Sequence, residues 1–223
     1  MKRTLFAFSI ALALLFTGSP IGSVLSAQEW TGTYLVRVTN LTSGQHFTPI
    51  LAATHADDIS IFTAGMVASD ELKALAEGGD TMPLAMALRG KAMSVETSMG
   101  LLGPGATAEL VLNGGSMHRY LSLVAMLIPT NDAFVGLRVT LSAEPRVRTY
   151  NAYAYDAGTE TNDETCASIP GPHSECTRPG GDGAPGMGEG FITIHRGIQG
   201  GGDFGGDRDW RNPVARITIQ RIS

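Results

Sequence analysis

The stretch Pro-Thr-Asn-Asp-Ala-Phe-Val-Gly-Leu at residues 129–137 determines how the rest of the chain is interpreted. It places one carboxylate, Asp132, in a turn directly before an alternating apolar run. The stretch Tyr-Asp-Ala-Gly-Thr-Glu at residues 155–160 places a second carboxylate, Asp156, directly after another such run. If both runs are β-strands, their ends can direct oxygen ligands to one point. The two stretches therefore predict a metal-binding rim on a β-sandwich.

Eight runs along the chain are candidate β-strands, several of which alternate apolar and polar residues with period two, the pattern of half-buried strands. The runs lie at residues 34–40, 47–54, 106–112, 120–128, 134–141, 147–155, 190–196 and 213–222. The run at 120–128 is apolar nearly throughout, as expected for a strand that is covered on both faces. After the run at 106–112, the sequence Asn113-Gly114-Gly115 predicts a turn.

Only two stretches have helical features. Residues 69–78 and 80–90 each combine strong helix formers with a terminal Gly, and Ser69 is a candidate N-cap. Residues 170–206 are rich in Gly without a collagen-like period, which indicates long surface loops. We therefore expect an all-β protein, an antiparallel sandwich of about eight strands with two short inserted helices and long Gly-rich loops.

The N-terminal segment is predicted to be a targeting signal. Lys2 and Arg3 precede an apolar run at 5–16, and small residues follow at 26–27. This layout is typical of a secretory signal peptide, residues 1–27. The apolar run is shorter than the roughly 20 residues of a membrane span, which favours a cleaved signal over an uncleaved anchor. We expect residues 28–223 to be exported as one domain, secreted, periplasmic or at the cell surface, and not membrane-spanning.

The charge balance argues against one class of partner. The formal net charge of −5 becomes −7 without the signal segment, which carries two basic and no acidic residues. A chain this acidic has no basic stripe to follow a phosphate backbone, so nucleic acid is a poor partner.

The acidic residues near the two stretches offer a set of hard ligands. Glu160 shares a loop with Asp156, and the Asn131 amide adjoins Asp132. Oxygen ligands from several loops suit Ca²⁺, although the contiguous EF-hand pattern is absent from the sequence. From spacing alone, solvated loop carboxylates are the simpler explanation, and a calcium site is the alternative.

The sequence shows no recognisable catalytic motif. Its five histidines do not form the helical His-Glu-x-x-His pattern, and its serines lack a Gly-x-Ser-x-Gly elbow. His195, between a predicted strand and a Gly-rich loop, is best explained by a hydrogen bond to the loop backbone. Trp210 is expected to anchor the Asp-rich and Gly-rich loop before it. A hydrolase that assembles a zinc site over long range stays open as an alternative.

Taken together, three ordered motifs resemble the spondin domain, the N-terminal domain of F-spondin and mindin. The motifs are residues 132–137, 155–159 and 213–218, and the segments 191–198 and 209–212 resemble the bacterial branch of that family. The resemblance implies a C2-like antiparallel β-sandwich with Ca²⁺ at one end and a role in adhesion to the cell surface or matrix. Asp132 and Asp156 are the implied ligands, and Glu160 stands where animal members often have Asp.

The leading hypothesis is thus an exported, calcium-stabilised binding module whose partner is an unknown extracellular protein or polysaccharide. One alternative is an exported metal-dependent hydrolase. Another is a structural envelope protein whose metal is incidental.

The only cysteines, Cys166 and Cys176, are predicted to form a disulfide that closes a local loop, because the chain is expected in an oxidising compartment. A metal pair with His173 is the less economical alternative, since the spacing fits no familiar zinc pattern. Alkylation of the purified protein without reduction should label neither cysteine, and alkylation after reduction should label both. Mass spectrometry measures the result, and labelling without reduction would contradict the prediction.

Overall fold

The structure is a computed structural model and describes residues 29–171, 183–184 and 186–223. The predicted signal peptide and Cys176 lie outside the described residues, so the signal and the disulfide stay predictions. Within the described part of the chain, neither helix is long and apolar enough to cross a membrane.

Ten strands and two helices are described. In chain order they are β1 Thr31–Asn40, β2 His46–Phe47, β3 Leu51–His55, α1 Asp70–Gly78, α2 Met82–Leu88, β4 Ser94–Thr97, β5 Thr107–Gly115, β6 Tyr120–Ile128, β7 Ala133–Thr140, β8 Arg148–Asp156, β9 Thr193–Ile194 and β10 Ala215–Arg221. The prediction of an all-β sandwich with two short inserted helices is confirmed.

The strands pair antiparallel in the order β4-β3-β6-β7-β8-β10-β1-β5, with β2 added on β6 and β9 on β8. Strand β8 joins the two halves of the sandwich. Its first part, up to Ala152, pairs with β10, and its last part, from Tyr153 to Asp156, pairs with β7. The sheet is nearly closed, because the Thr54 hydroxyl on β3 donates to the Asn113 carbonyl on β5 at 2.5 Å.

Apolar side chains form two cores on opposite faces of the β3-β6-β7 half. The inter-sheet core includes Val36, Leu123 and Ile217, all fully buried. The helix-side core packs α1 and α2 onto the outer face and includes Leu72 and Phe134. As predicted, β6 is covered on both faces, and every residue after Tyr120 in this strand is buried.

Local chemistry fixes the ends of the first helix, and the glycine that ends it is Gly79 rather than the predicted Gly78. The Ser69 hydroxyl accepts from the Leu72 N–H at 3.2 Å, and Gly79 ends the helix with a φ of 68°, which glycine adopts without steric cost. The second helix begins at Met82, with Pro83 near its first position, where the missing N–H breaks no bond.

Three strand predictions need correction. The predicted strand 47–54 is split into β2 and β3, because Pro49 has no N–H to continue a ladder. The turn predicted at Asn113 is wrong, since β5 continues to Gly115 by pairing with the first residues of β1. Of the predicted strand 190–196, only Thr193–Ile194 is paired. The pairing of strands in the tertiary structure decided these cases. The short edge strand β4 was not predicted from the sequence.

Phe134 is a test of the helix-side core. Its ring is fully buried, with centroids 5.2 Å from the Phe62 ring and 5.6 Å from the Tyr155 ring. Phe134→Ala should lower the free energy of unfolding by about 3–5 kcal/mol, because it leaves a cavity among aromatic side chains. Val111→Ala, at a half-exposed position of β5, should cost less than about 1 kcal/mol. Urea unfolding measures both, and equal losses would contradict this description of the core.

Candidate functional site

Asp132 lies directly before β7, which begins at Ala133, and is fully buried. Its Oδ2 accepts three hydrogen bonds, from the Thr159 N–H at 2.8 Å, the Glu160 N–H at 3.1 Å and the Thr159 hydroxyl at 3.2 Å. Its Oδ1 is buried without a hydrogen-bond partner. Because a buried polar atom without a partner is costly, this oxygen is the natural place for a proton or a cation.

A polar turn holds Asp132 in this position. The Thr130 hydroxyl donates to the Leu127 carbonyl at 2.6 Å and accepts from the Ala133 N–H at 3.2 Å, so it spans the connection between β6 and β7. The turn therefore fixes the backbone on both sides of Asp132.

Asp156 is the last residue of β8 and pairs directly with Ala133 at the start of β7. Antiparallel pairing thus brings both carboxylates to the same end of the sandwich. The Asp156 Oδ1 accepts from the Gly158 N–H at 2.7 Å, and its Oδ2 accepts from the Asn162 amide at 2.7 Å. Gly158 has a φ of 69°, and a side chain there would collide with the Phe191 carbonyl oxygen.

The two carboxyl groups resist ionisation in the absence of a cation. Burial, followed by the negative charge of Asp156, raises the pKa of Asp132 to about 7. Burial is also the main reason that the pKa of Asp156 is raised, against the opposing hydrogen bonds from Asn162 and Gly158. A bound cation would relieve both costs, since it favours the charged form of each carboxylate.

The other two predicted ligands, Asn131 and Glu160, have different surroundings. The Asn131 amide accepts from the Glu164 N–H at 3.1 Å and donates to Asp163 at 3.0 Å, so it fastens the loop after β8. The Glu160 carboxyl lines a cavity of about 280 Å³ next to Glu77, whereas Asp156 lines a different cavity. The structure brings Asp132 and Asp156 together, and the Glu160 carboxyl lines a different cavity from Asp156.

His195 is buried beside Asp156 and packs against the Trp210 ring, with ring centroids 5.0 Å apart. As expected from the sequence, it is hydrogen-bonded to the loop backbone, because its Nδ1 accepts from the Gly197 N–H at 3.0 Å. Burial lowers its pKa to about 4, so the ring is neutral near pH 7 and carries its proton on Nε2. That Nε2 lies 4.0 Å from the Asp156 Oδ2, beyond hydrogen-bonding distance.

Glu164 lies in the loop after β8, near the candidate site, and the sequence did not predict a role for it. Its carboxylate accepts three backbone N–H groups from the Gly-rich loop, those of Gln199 at 2.5 Å, Gly200 at 2.8 Å and Gly201 at 2.9 Å. It is also the one non-glycine residue with a positive φ, 54°, among those the structure describes. The sequence signal was a Gly run of the kind that leaves backbone N–H groups free to surround an anion.

A serine and a histidine are also in contact, but they do not form an accessible site. The His55 Nε2 lies 2.8 Å from the Ser122 hydroxyl, and the two residues are 0% and 1% exposed. The His55 Nδ1 lies 2.7 Å from the Ala56 carbonyl, which satisfies the second ring nitrogen. This pair is a hydrogen-bonded part of the core, out of reach of a substrate.

In the described ranges, no group of three or more His, Cys, Asp and Glu side chains is arranged to hold a metal ion. The Asp132 and Asp156 pair nevertheless fits a calcium ion in its chemistry, because Ca²⁺ also takes backbone carbonyls, amide oxygens and water. The unpartnered Asp132 Oδ1 is the specific structural reason to consider such an ion.

The raised pKa of Asp132 predicts how stability depends on pH. Its folded pKa of about 7 exceeds the ordinary value of 3.8, so its contribution is complete below about pH 4 and is lost as the pH rises through 7. Asp132→Asn keeps an acceptor at the Oδ2 position and carries no charge. In EDTA, it should therefore raise the free energy of unfolding relative to the parent at about pH 8.5, by on the order of a few kcal/mol, and by about 2 kcal/mol less at about pH 5.5, since part of the loss has already occurred at that pH.

Urea unfolding of both proteins at the two pH values tests this difference. The titration of groups that do not interact with Asp132 is common to both proteins and largely cancels, whereas the titration of Asp156 depends on the Asp132 charge and is part of the measured effect. A difference in the free energy of unfolding that is the same at both pH values would contradict the raised pKa of Asp132.

A comparison with curated proteins found no match. The family model Spondin_N matches residues 27–175, which include Asp132, Asp156 and the turns that hold them. The match ends before the Gly-rich loops that carry His195 and before the last strand. It covers more than half of the chain, so the chain belongs to the Spondin_N family.

Proposed function

We propose that this protein is an exported binding module of the spondin type, which uses a calcium ion at Asp132 and Asp156 to order one end of its β-sandwich for adhesion at a cell surface or in a matrix. The observation that carries the proposal is the buried Asp132 Oδ1, which has no hydrogen-bond partner. Family membership supports the extracellular binding role.

The protein's own contribution to the ion site would be a rigid frame. Three donors from Thr159 and Glu160 hold the Asp132 Oδ2, and this leaves Oδ1 for the ion. The Asn162 amide and the Gly158 N–H orient the Asp156 carboxylate. The ion would supply positive charge where two buried carboxylates otherwise repel each other.

Such an ion would fix two segments relative to each other, the β6–β7 turn and the loop after β8, which together form the rim of the sandwich. The β6–β7 turn carries Asp132, and the loop after β8 carries the residues that hydrogen-bond to it. Binding surfaces are commonly built from loops that a rigid scaffold positions. We therefore place the partner-binding surface at this rim, with an extracellular protein or polysaccharide as the partner.

Calcium should stabilise the folded protein. A ligand that binds only the folded state at about 100 times its Kd adds about 2.7 kcal/mol, which corresponds to a rise in Tm of about 5–10 °C for a chain of this size. Thermal unfolding monitored by circular dichroism, in EDTA and in excess Ca²⁺, measures this shift.

Asp132→Asn should abolish the calcium-dependent shift, because the amide offers its NH₂ group where the ion needs an oxygen. Asp58→Asn, which neutralises an exposed carboxylate on the connection after β3, is the matched control and should retain the shift. An identical Tm for the parent protein in EDTA and in Ca²⁺ would refute the calcium site.

A further inference from the structure

One side of the Asp156 carboxylate faces a cavity of about 270 Å³ that opens at the surface. The cavity is lined by Asp156, Thr161, Asn162, Glu189, His195, Arg196 and other loop residues. Asp156 itself is 4% exposed, whereas Glu189 is exposed at the mouth. Solvent can therefore enter the cavity and reach Asp156, which forms part of its wall.

Glu189 is held over this cavity by its two neighbours. The Gly190 N–H donates to the Gly158 carbonyl at 2.9 Å, two residues after Asp156. Gly188 lies so close to the backbone of Gly158 and Glu160 that a side chain there would collide with both. The loop at 188–190 is thus docked onto the loop that follows β8, and only the Glu189 side chain projects from it at the cavity.

The side chains of Glu189 and Asp156 line the same cavity. Two carboxylates that share a cavity repel each other when both are ionised, and a cation between them removes this repulsion. Arg196 lines the same cavity, but it is exposed and has a single charge. Near neutral pH, two carboxylates at the mouth and wall of one cavity attract cations into it.

We propose that Glu189 is a third carboxylate ligand of the cation held by Asp132 and Asp156, and that its side chain closes the cavity once the cation has entered. This inference rests on the proposed function. It adds a ligand from a segment that the Spondin_N match, residues 27–175, does not include.

The chemistry of the ion supports a third carboxylate. Ca²⁺ takes six to eight oxygen ligands, and bidentate Glu is a common way to fill two of these positions. In the described conformation the three carboxylates do not yet form a closed cluster. The Glu189 side chain is exposed while its backbone is anchored, so in this proposal the side chain turns inward by a change of rotamer and the loop does not move.

The test is calcium affinity by isothermal titration calorimetry on the purified protein. Glu189→Gln should raise the Kd for Ca²⁺ at least about tenfold, without lowering the Tm in EDTA, because the side chain is exposed and its charge repels that of Asp156. Glu189→Asp, which keeps the charge but shortens the side chain, should also weaken binding. Glu96→Gln, at an exposed position on β4, is the matched control and should bind as the parent does.

Ionic strength separates direct coordination from a long-range charge effect. The loss caused by Glu189→Gln should persist in about 0.5 M NaCl, where the interactions of exposed charges are largely screened. A loss that disappears in salt, or full affinity in Glu189→Asp, would overturn direct coordination. Unchanged affinity in Glu189→Gln with a calcium-binding parent would overturn this inference alone, and a parent that does not bind calcium would overturn the proposed function as well.

Discussion

The structure of the rim depends on the hydrogen bonds that Asp132 accepts from the loop after β8. Three donors converge on its Oδ2, and they tie the β6–β7 turn to residues that are 27 and 28 positions later in the chain. The second carboxylate oxygen is left buried and unpaired. The Asp132 side chain thus joins two loops, and its unpaired oxygen would be stabilised by a cation or a proton. This oxygen is the link between the fold and the proposed calcium site.

The position of Asp156 follows from the course of one strand. Because β8 pairs with β10 through its first residues and with β7 through its last, it passes from one half of the sandwich to the other. Its C-terminal end is therefore fixed against the start of β7. The two carboxylates meet through backbone pairing, and so their proximity does not depend on the conformation of the long Gly-rich loops.

The Gly-rich loops have a more specific role than their composition indicates. The Glu164 carboxylate accepts hydrogen bonds from three of their backbone N–H groups. Gly188 and Gly190 pack a further loop against Gly158. Glycine is needed at Gly188 because a side chain would collide with the neighbouring backbone. These contacts place Glu189 and His195 around Asp156, although both residues follow the segment that defines the family.

The sequence by itself determined the fold class, most of the strands and the meeting of Asp132 with Asp156. Alternation, turn residues and helix caps are local signals, and antiparallel neighbours bring the end of one strand to the start of the next. Only the tertiary structure decided that β5 continues through Gly115, that the Glu160 carboxyl lies in another cavity and that Glu189 lies beside Asp156. These depend on pairing and loop docking between residues distant in the chain, where the free energy of burial and hydrogen bonding outweighs local preference.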